Sequence, residues 1–118
     1  MLKILCIVQT PVPSTEISII RPFSYLEKNR EISWTLVKEV SFQADILEQA
    51  DIVVFHRNCH PNGRAILDRV KNAQIPLIYE IDDNFFALPE NLPVGRYMRN
   101  PAVVQTIENY LRAADIVK

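Results

Sequence analysis

The chain has 118 residues, which is enough for one domain with a hydrophobic core and too few for two. Hydrophobic residues make up 48% and charged residues 23%, a composition typical of a globular protein rather than a disordered one. The net charge of −1, without a basic stripe, argues against nucleic acid as a partner, and no apolar run approaches the roughly 20 residues that span a bilayer.

The run from Lys3 to Gln9 is short and almost continuously apolar, which predicts a strand buried on both faces of a parallel sheet. It is too short for the apolar region of a signal peptide and has no small-residue cleavage site after it. The two cysteines, Cys6 and Cys59, do not make a disulfide framework. We therefore expect reduced thiols and a cytoplasmic protein.

After a proline-containing loop, Ser14 or Thr15 is the candidate cap of a helical segment, in which Pro22 could start the main helix. Alternating apolar and polar residues then predict a half-exposed strand near an edge, with apolar positions at Ile32, Trp34, Leu36 and Val40. A short helix is predicted from Phe42 to Gln49.

Three further strands are predicted, at 51–55, 77–81 and 114–117. Helices are expected from Pro61 to about Ala73 and from Pro101 onward, with an irregular stretch between 82 and 100. Strands that alternate with helices form βαβ units with right-handed crossovers. The predicted fold is therefore α/β, a Rossmann-like three-layer α/β/α domain with a mainly parallel sheet of about five strands.

Only two glycines occur, Gly63 and Gly95. Phosphate-binding loops and dinucleotide fingerprints need glycines because the backbone must approach the ligand closely. The chain has neither a G-x-G-x-x-G motif nor a Walker loop, so we do not expect a self-sufficient nucleotide-binding enzyme.

Polar residues follow three predicted strands at their carboxyl ends, where open α/β sheets bind ligands. They are Gln9 and Thr10, then His56, Arg57 and Asn58, then Glu80, Asp82, Asp83 and Asn84. If the strands are parallel, all three groups lie on one rim of the sheet.

The acidic group at Glu80, Asp82 and Asp83 is the most informative of these. Adjacent carboxylates repel each other unless a cation or hydrogen-bond donors intervene, and Arg57 on the neighbouring loop is a plausible partner. One interpretation is a site that orients hydroxyl groups of a ligand or takes a proton from one. The other is that an aspartate caps a turn before Phe85 and pairs with Arg57 only to hold the loop.

Metal binding has little support in the sequence. His56, Cys59 and His60 lack the second ligand pair that a closed zinc site needs, and adjacent aspartates alone are weak evidence for magnesium. We predict no metal. The aromatic residues between 82 and 100 either pin this stretch to the domain or line a groove, and Tyr97 is a candidate to face a ligand.

Three segments together resemble the amino-terminal domain of group 1, family 4-like glycosyltransferases. They are DIVVFHR at 51–57, IPLIYEIDDNFFALP at 75–89 and ADIV at 114–117. The resemblance covers essentially the whole chain, and the middle segment is the most specific.

The resemblance implies a GT-B enzyme, in which two Rossmann-like domains face each other across a cleft. Residues 1–118 would be the N-terminal domain, which contributes acceptor binding and one wall of the catalytic cleft. A C-terminal domain, absent from this chain, would hold the nucleotide-sugar donor, so this part alone would be inactive. The acceptor would be a sugar, a lipid-linked molecule or a polysaccharide, no metal or other cofactor would be required, and peripheral membrane association is compatible with such an enzyme.

The resemblance also implies roles for single residues. By position, Asp82 and Asp83 match a His–Asp pair in many relatives and are the candidate catalytic residues, although a carboxylate cannot donate as an imidazolium does. The candidate substrate-binding residues are Arg57, Glu80, Thr10 and Tyr97.

The alternative is a stand-alone flavodoxin-like binding or regulatory domain without catalysis. A response-regulator receiver needs an acidic pair after the first strand and an aspartate after the third, where this chain has Gln9-Thr10 and His56-Arg57. A cobalamin-binding domain usually has a D-x-H-x-x-G loop, which is missing.

Overall fold

The computed structural model describes residues 1–118 and contains one sheet of five parallel strands, in the order β2-β1-β3-β4-β5. The strands are β1 (Leu2–Val8), β2 (Ile32–Lys38), β3 (Ile52–His56), β4 (Leu77–Glu80) and β5 (Ile116–Val117). The α/β prediction is confirmed, and every strand pair is parallel. β2 is an edge strand, as its half-exposed pattern indicates.

The α-helices are α1 (Pro13–Thr15), α2 (Arg21–Lys28), α3 (Arg64–Asn72), α4 (Pro93–Met98) and α5 (Pro101–Ala113). Short 3-10 helices occupy Glu39–Ser41, Ala44–Gln49, Pro61–Gly63 and Phe85–Ala87. None of these helices has both the length and the apolar character needed to cross a bilayer.

A π-helical turn, Glu16–Ile20, joins α1 to α2. Pro22 lies in the first turn of α2. Proline has no amide hydrogen, and its ring clashes with the preceding turn, which accounts for a wide turn before it. The main helix therefore starts around Pro22, as predicted. Thr15 does not cap the segment, because its hydroxyl accepts a hydrogen bond from the Val12 amide within the first turn.

Three local predictions are wrong. Val40 does not belong to the edge strand, since β2 ends at Lys38 and Val40 is 89% exposed in the following turn. Residues 42–49 do not form one helix, because Phe42 has an extended backbone and only Ala44–Gln49 is helical. The stretch 82–100 is not wholly irregular, because α4 lies within it. Over segments this short, apolar patterns do not distinguish strands, helices and turns from one another.

Alternate residues of the strands face opposite layers of the domain. On one face, strand residues pack against α3 and α5, with the side chains of Phe55, Tyr79 and Tyr110 fully buried. The rings of Tyr79 and Tyr110 stack with centroids 4.9 Å apart. On the other face, Cys6 and Val54 pack against Ile19 of the first helical segment. Helices therefore cover both faces, which confirms the three-layer prediction.

The two Ala-Asp-Ile-Val segments have the same structural role. The Asp51 carboxylate accepts a hydrogen bond of 2.8 Å from the Lys3 amide, and the Asp51 amide donates to the Lys3 carbonyl. In the same way, the Asp115 carboxylate accepts a hydrogen bond of 2.8 Å from the Leu77 amide, and the Asp115 amide donates to the Leu77 carbonyl. Each aspartate therefore secures the start of a neighbouring strand. The two motifs therefore stabilise strand pairing and do not mark a catalytic or binding site.

The crossover direction reverses at β1. The chain passes from β1 to β2 over one face and from β3 through β4 to β5 over the other. In open α/β sheets, ligands bind at the carboxyl edge beside such a reversal. Gln9 follows β1 and Arg57 follows β3, so both residues lie at this point.

Candidate functional site

Arg57 has a left-handed backbone conformation, with φ of 62°. Arg30 and Gln74 share this conformation, but each follows the last turn of a helix, where a left-handed residue is a common cap. Arg57 instead follows a strand, and its amide donates a hydrogen bond of 2.9 Å to the Glu80 carbonyl. A left-handed residue with a side chain costs about 1 kcal/mol, and such strain is concentrated at functional sites.

The Arg57 side chain is the centre of a polar cluster. Its Nη1 donates to Ser14 Oγ at 3.1 Å and lies 3.1 Å from Asp82 Oδ1, 3.2 Å from Asp82 Oδ2 and 3.4 Å from Asp83 Oδ2. The guanidinium carbon lies 5.2 Å from the centroid of the Phe85 ring. We call these five residues the Arg57 cluster. Of the sequence-predicted site residues, the structure brings Arg57, Asp82 and Asp83 together here.

One nitrogen, Nη1, makes all of the contacts with Ser14, Asp82 and Asp83. Arg57 Nη2 and Nε make no hydrogen bond to the protein, and neither does Asp83 Oδ1. The side chains of Arg57 and Asp82 are each 29% exposed, and that of Asp83 is 55% exposed. The cluster therefore offers both donors and an acceptor to a ligand outside the domain.

A turn explains how both carboxylates reach the same nitrogen. The Phe85 amide donates to the Asp83 carbonyl at 3.1 Å, so the chain bends at Asp83 instead of continuing as a strand. Asn84, not an aspartate, caps the following helical turn, because its Oδ1 accepts from the Phe86 amide at 3.2 Å. The two aspartates are thus free of that capping role.

Glu80 lies apart from the Arg57 cluster. It is buried at the end of β4, and its carboxylate lies 3.9 Å from Lys118 Nζ. The only bond between Glu80 and Arg57 is through the Glu80 backbone carbonyl. The structure therefore gives Glu80 a supporting position behind the loop.

Thr10 and Tyr97 also lie outside the Arg57 cluster. Thr10 is exposed and its side chain makes no hydrogen bond to the rest of the chain. Partial burial, with a smaller effect of the Cys59 thiol, raises the pKa of Tyr97, which is 39% exposed. Among the four candidate substrate-binding residues, only Arg57 contacts the two aspartates.

His56 and Cys6 are buried beside Glu80 and are not poised for acid–base or nucleophilic chemistry. His56 Nδ1 lies 3.2 Å from the Thr15 hydroxyl, while its Nε2 is buried without a partner. Burial lowers the pKa of His56, although Glu80 and Asp82 oppose the shift, so the ring is uncharged at neutral pH. Burial, with a smaller effect of Glu80, raises the pKa of the Cys6 thiol to about 12.

A second polar group lies at the same edge, and of its members the sequence indicated Gln9 and Asn58 but not Glu39. The fully buried Asn58 donates from Nδ2 to Glu39 Oε1 at 2.7 Å, and Gln9 Oε1 accepts from the Cys59 and His60 amides. Burial raises the pKa of Glu39, and the Asn58 hydrogen bond and His60 oppose the shift. We call Gln9, Glu39, Asn58, His60 and Gly63 the Glu39 cluster. The available sequence signal was that Gln9 and Glu39 directly follow β1 and β2.

No three of the His, Cys, Asp and Glu side chains are arranged to hold a metal ion. No protein-family model matches the chain, and no curated protein matches its sequence. Interpretation of the site therefore depends on its geometry and on the motifs described above.

Proposed function

We propose that this chain is the acceptor-side domain of a GT-B glycosyltransferase, which moves a sugar from a nucleotide-sugar donor to an acceptor hydroxyl. The observation that carries the proposal is the Arg57 cluster. It places a strained arginine and two partly exposed carboxylates at the carboxyl edge, beside the reversal where α/β sheets bind ligands.

The Arg57 cluster would hold one hydroxyl group of the acceptor and accept its proton. Asp83 has a free carboxylate oxygen and is the more exposed aspartate, so we assign it the contact with the acceptor hydroxyl. Both oxygens of Asp82 contact Arg57 Nη1, so Asp82 orients the guanidinium. Arg57 Nη2 and Nε then donate hydrogen bonds to a second oxygen atom of the acceptor molecule.

The composition supports a donor site in a second domain and an acceptor site in this one. With two glycines and no phosphate loop, this chain offers little to the diphosphate of a sugar nucleotide. The donor would be held by a second domain across the cleft, and the segment IYEIDDNFFALP supports the same family by resemblance.

One observation favours the second candidate, a flavodoxin-like binding or regulatory domain without catalysis. The strand order β2-β1-β3-β4-β5 is the order found in flavodoxin-like folds. In that case the Arg57 cluster would bind a ligand at the reversal without transferring a sugar.

The test is a transfer assay on the full-length protein that carries this chain. Release of nucleoside diphosphate from a panel of nucleotide sugars is measured for the wild type, Asp83→Asn, Arg57→Ala and the control Asp68→Asn. Asp68 is exposed on α3 and belongs to neither cluster. We expect Asp83→Asn to lower kcat by about 100-fold, as for loss of a general base, with unchanged circular dichroism.

Asp68→Asn should retain wild-type kcat. If Asp83→Asn and Arg57→Ala also retain it, the Arg57 cluster is structural and its catalytic assignment is wrong. If no nucleotide sugar is consumed by the wild type, the glycosyltransferase proposal fails and the non-catalytic candidate replaces it.

A further inference from the structure

We infer that the chain has a second binding site, for a neutral saccharide, in a cavity beside the Glu39 cluster. The cavity has a volume of about 360 Å³, within the range of small-molecule sites. It is lined by Gln9, Glu39, Val40, His60, Asn62 and Ile66. Ile66 belongs to α3, whereas the Arg57 cluster contacts Ser14 at the start of the first helical segment. The two sites share no residue, although both lie at the carboxyl edge of the sheet.

Gly63, the neighbour of the lining residue Asn62, lies behind the Glu39 carboxylate. A Cβ atom at this position would lie 2.7 Å from Glu39 Oε1 and 2.9 Å from the Tyr110 hydroxyl oxygen. The missing side chain leaves room for the Glu39 carboxylate, which Asn58 holds from behind with a hydrogen bond of 2.7 Å. Tyr79 in turn donates to the Asn58 carbonyl at 2.7 Å, so the support continues into the core.

These internal bonds leave specific polar atoms for a ligand. Glu39 Oε1 is taken by Asn58, which leaves Oε2 as an acceptor. Gln9 Oε1 accepts two backbone amides, which leaves its amide nitrogen as a donor. His60 Nδ1 accepts from the Asn62 amide at 3.1 Å, which leaves Nε2–H as a second donor.

The lining identifies the chemical class of the ligand. No lysine or arginine lines the cavity, and the one charged residue is a carboxylate, so a phosphate or another anion is disfavoured. Two donors and an acceptor match neighbouring hydroxyl groups. Val40 and Ile66 supply an apolar wall for the C–H face of a sugar ring. Contact with a sugar ring accounts for the exposure of the apolar side chain of Val40, which is 89% exposed in its turn.

The inference does not depend on the proposed function, because it uses none of the residues of the Arg57 cluster. Its test is a titration of the 118-residue chain, followed by ¹H–¹⁵N NMR, with methyl α-glucoside, methyl α-mannoside and N-acetylglucosamine. At least one sugar should shift the resonances of Gln9, His60, Asn62 and Gly63 with millimolar affinity, and inorganic phosphate should not.

Two variants weaken binding in different ways. Glu39→Gln removes the charged acceptor, and we expect about a tenfold rise in Kd. Val40→Ala changes only an exposed side chain, so it cannot unfold the domain, and it should raise Kd severalfold. The control Asp82→Asn should leave Kd unchanged.

Three results would overturn the inference. They are shifts centred on Arg57, Asp82 and Asp83, equal shifts with phosphate, and the absence of any shift with all three sugars. None of these results decides whether the full-length protein transfers a sugar, so failure of this inference and failure of the proposed function are distinguishable.

Discussion

The Arg57 cluster and the Glu39 cluster lie at the same edge of the sheet but differ in how they are held. The Arg57 cluster consists of partly exposed ion pairs, which contribute about 0–1 kcal/mol to stability. The Glu39 cluster contains a fully buried amide, and a buried polar group left without its partner costs about 1–3 kcal/mol. We therefore expect the domain to fold without the Arg57 cluster, whereas the inner part of the Glu39 cluster contributes to its stability.

The largest expected effect is that of Asn58→Ala. The substitution removes the donor to Glu39 and leaves a gap at a fully buried position, so we expect a loss of about 2–3 kcal/mol in the free energy of unfolding. Urea denaturation measures it. The exposed Asn91→Ala is the control and should change stability by less than about 0.5 kcal/mol. Equal values for the two variants would remove the distinction between the clusters.

Gly63→Ala should cost somewhat less, about 1–2 kcal/mol, because the added Cβ overlaps with Glu39 Oε1 and the Tyr110 hydroxyl. In a double-mutant cycle with Glu39→Ala, part of this cost should disappear, since one overlapping atom is gone. Additive effects of the two substitutions would show that Glu39 does not occupy the space beside Gly63.

At Arg57, the comparison of two substitutions isolates the backbone. Arg57→Gly should be more stable than Arg57→Ala by about 1 kcal/mol, because glycine adopts a φ of 62° without the Cβ clash. Thermal unfolding measures the difference, and Arg30→Gly against Arg30→Ala at a helix end is the matched pair. If Arg57→Ala is the more stable variant, the strain that marks this residue is absent.

The smallest effect is expected for Asp82→Asn, below about 1 kcal/mol, because the lost ion pair is partly exposed and the amide oxygen can still accept from Arg57. The difference from the wild type should shrink further in high salt. A loss above 2 kcal/mol would place the Arg57 cluster among the structural elements and would weaken its functional assignment.

Much of the fold follows from local patterns in the chain. Burial periodicity and backbone restrictions act over a few residues, so local patterns predicted several elements correctly. They include the apolar run at Lys3–Gln9, the apolar segments before His56 and Glu80, and the proline at the start of α5. The boundaries were less accurate where the helices are short, as in Ala44–Gln49 and α4.

The candidate site was predictable only in part. Arg57, Asp82 and Asp83 were identified because they follow neighbouring strands, and the carboxyl ends of parallel strands meet at one edge. Asn58 was named as a strand-end residue, but its burial against Glu39 and the position of Gly63 beside it were not predicted, because nothing in the local sequence indicates them. Glu80 was expected to face a ligand, but the structure buries it.

By itself, the sequence determined that the chain alternates strands and helices, that the central strands are buried, and that polar residues cluster at their carboxyl ends. Hydrophobic periodicity encodes these properties locally. Only the tertiary structure decided that Arg57 adopts a left-handed backbone, that one of its nitrogens contacts both aspartates, and that Glu39 and His60 border a cavity at the same edge of the sheet. These contacts depend on strand order, register and crossover direction, which join residues that are distant in the sequence.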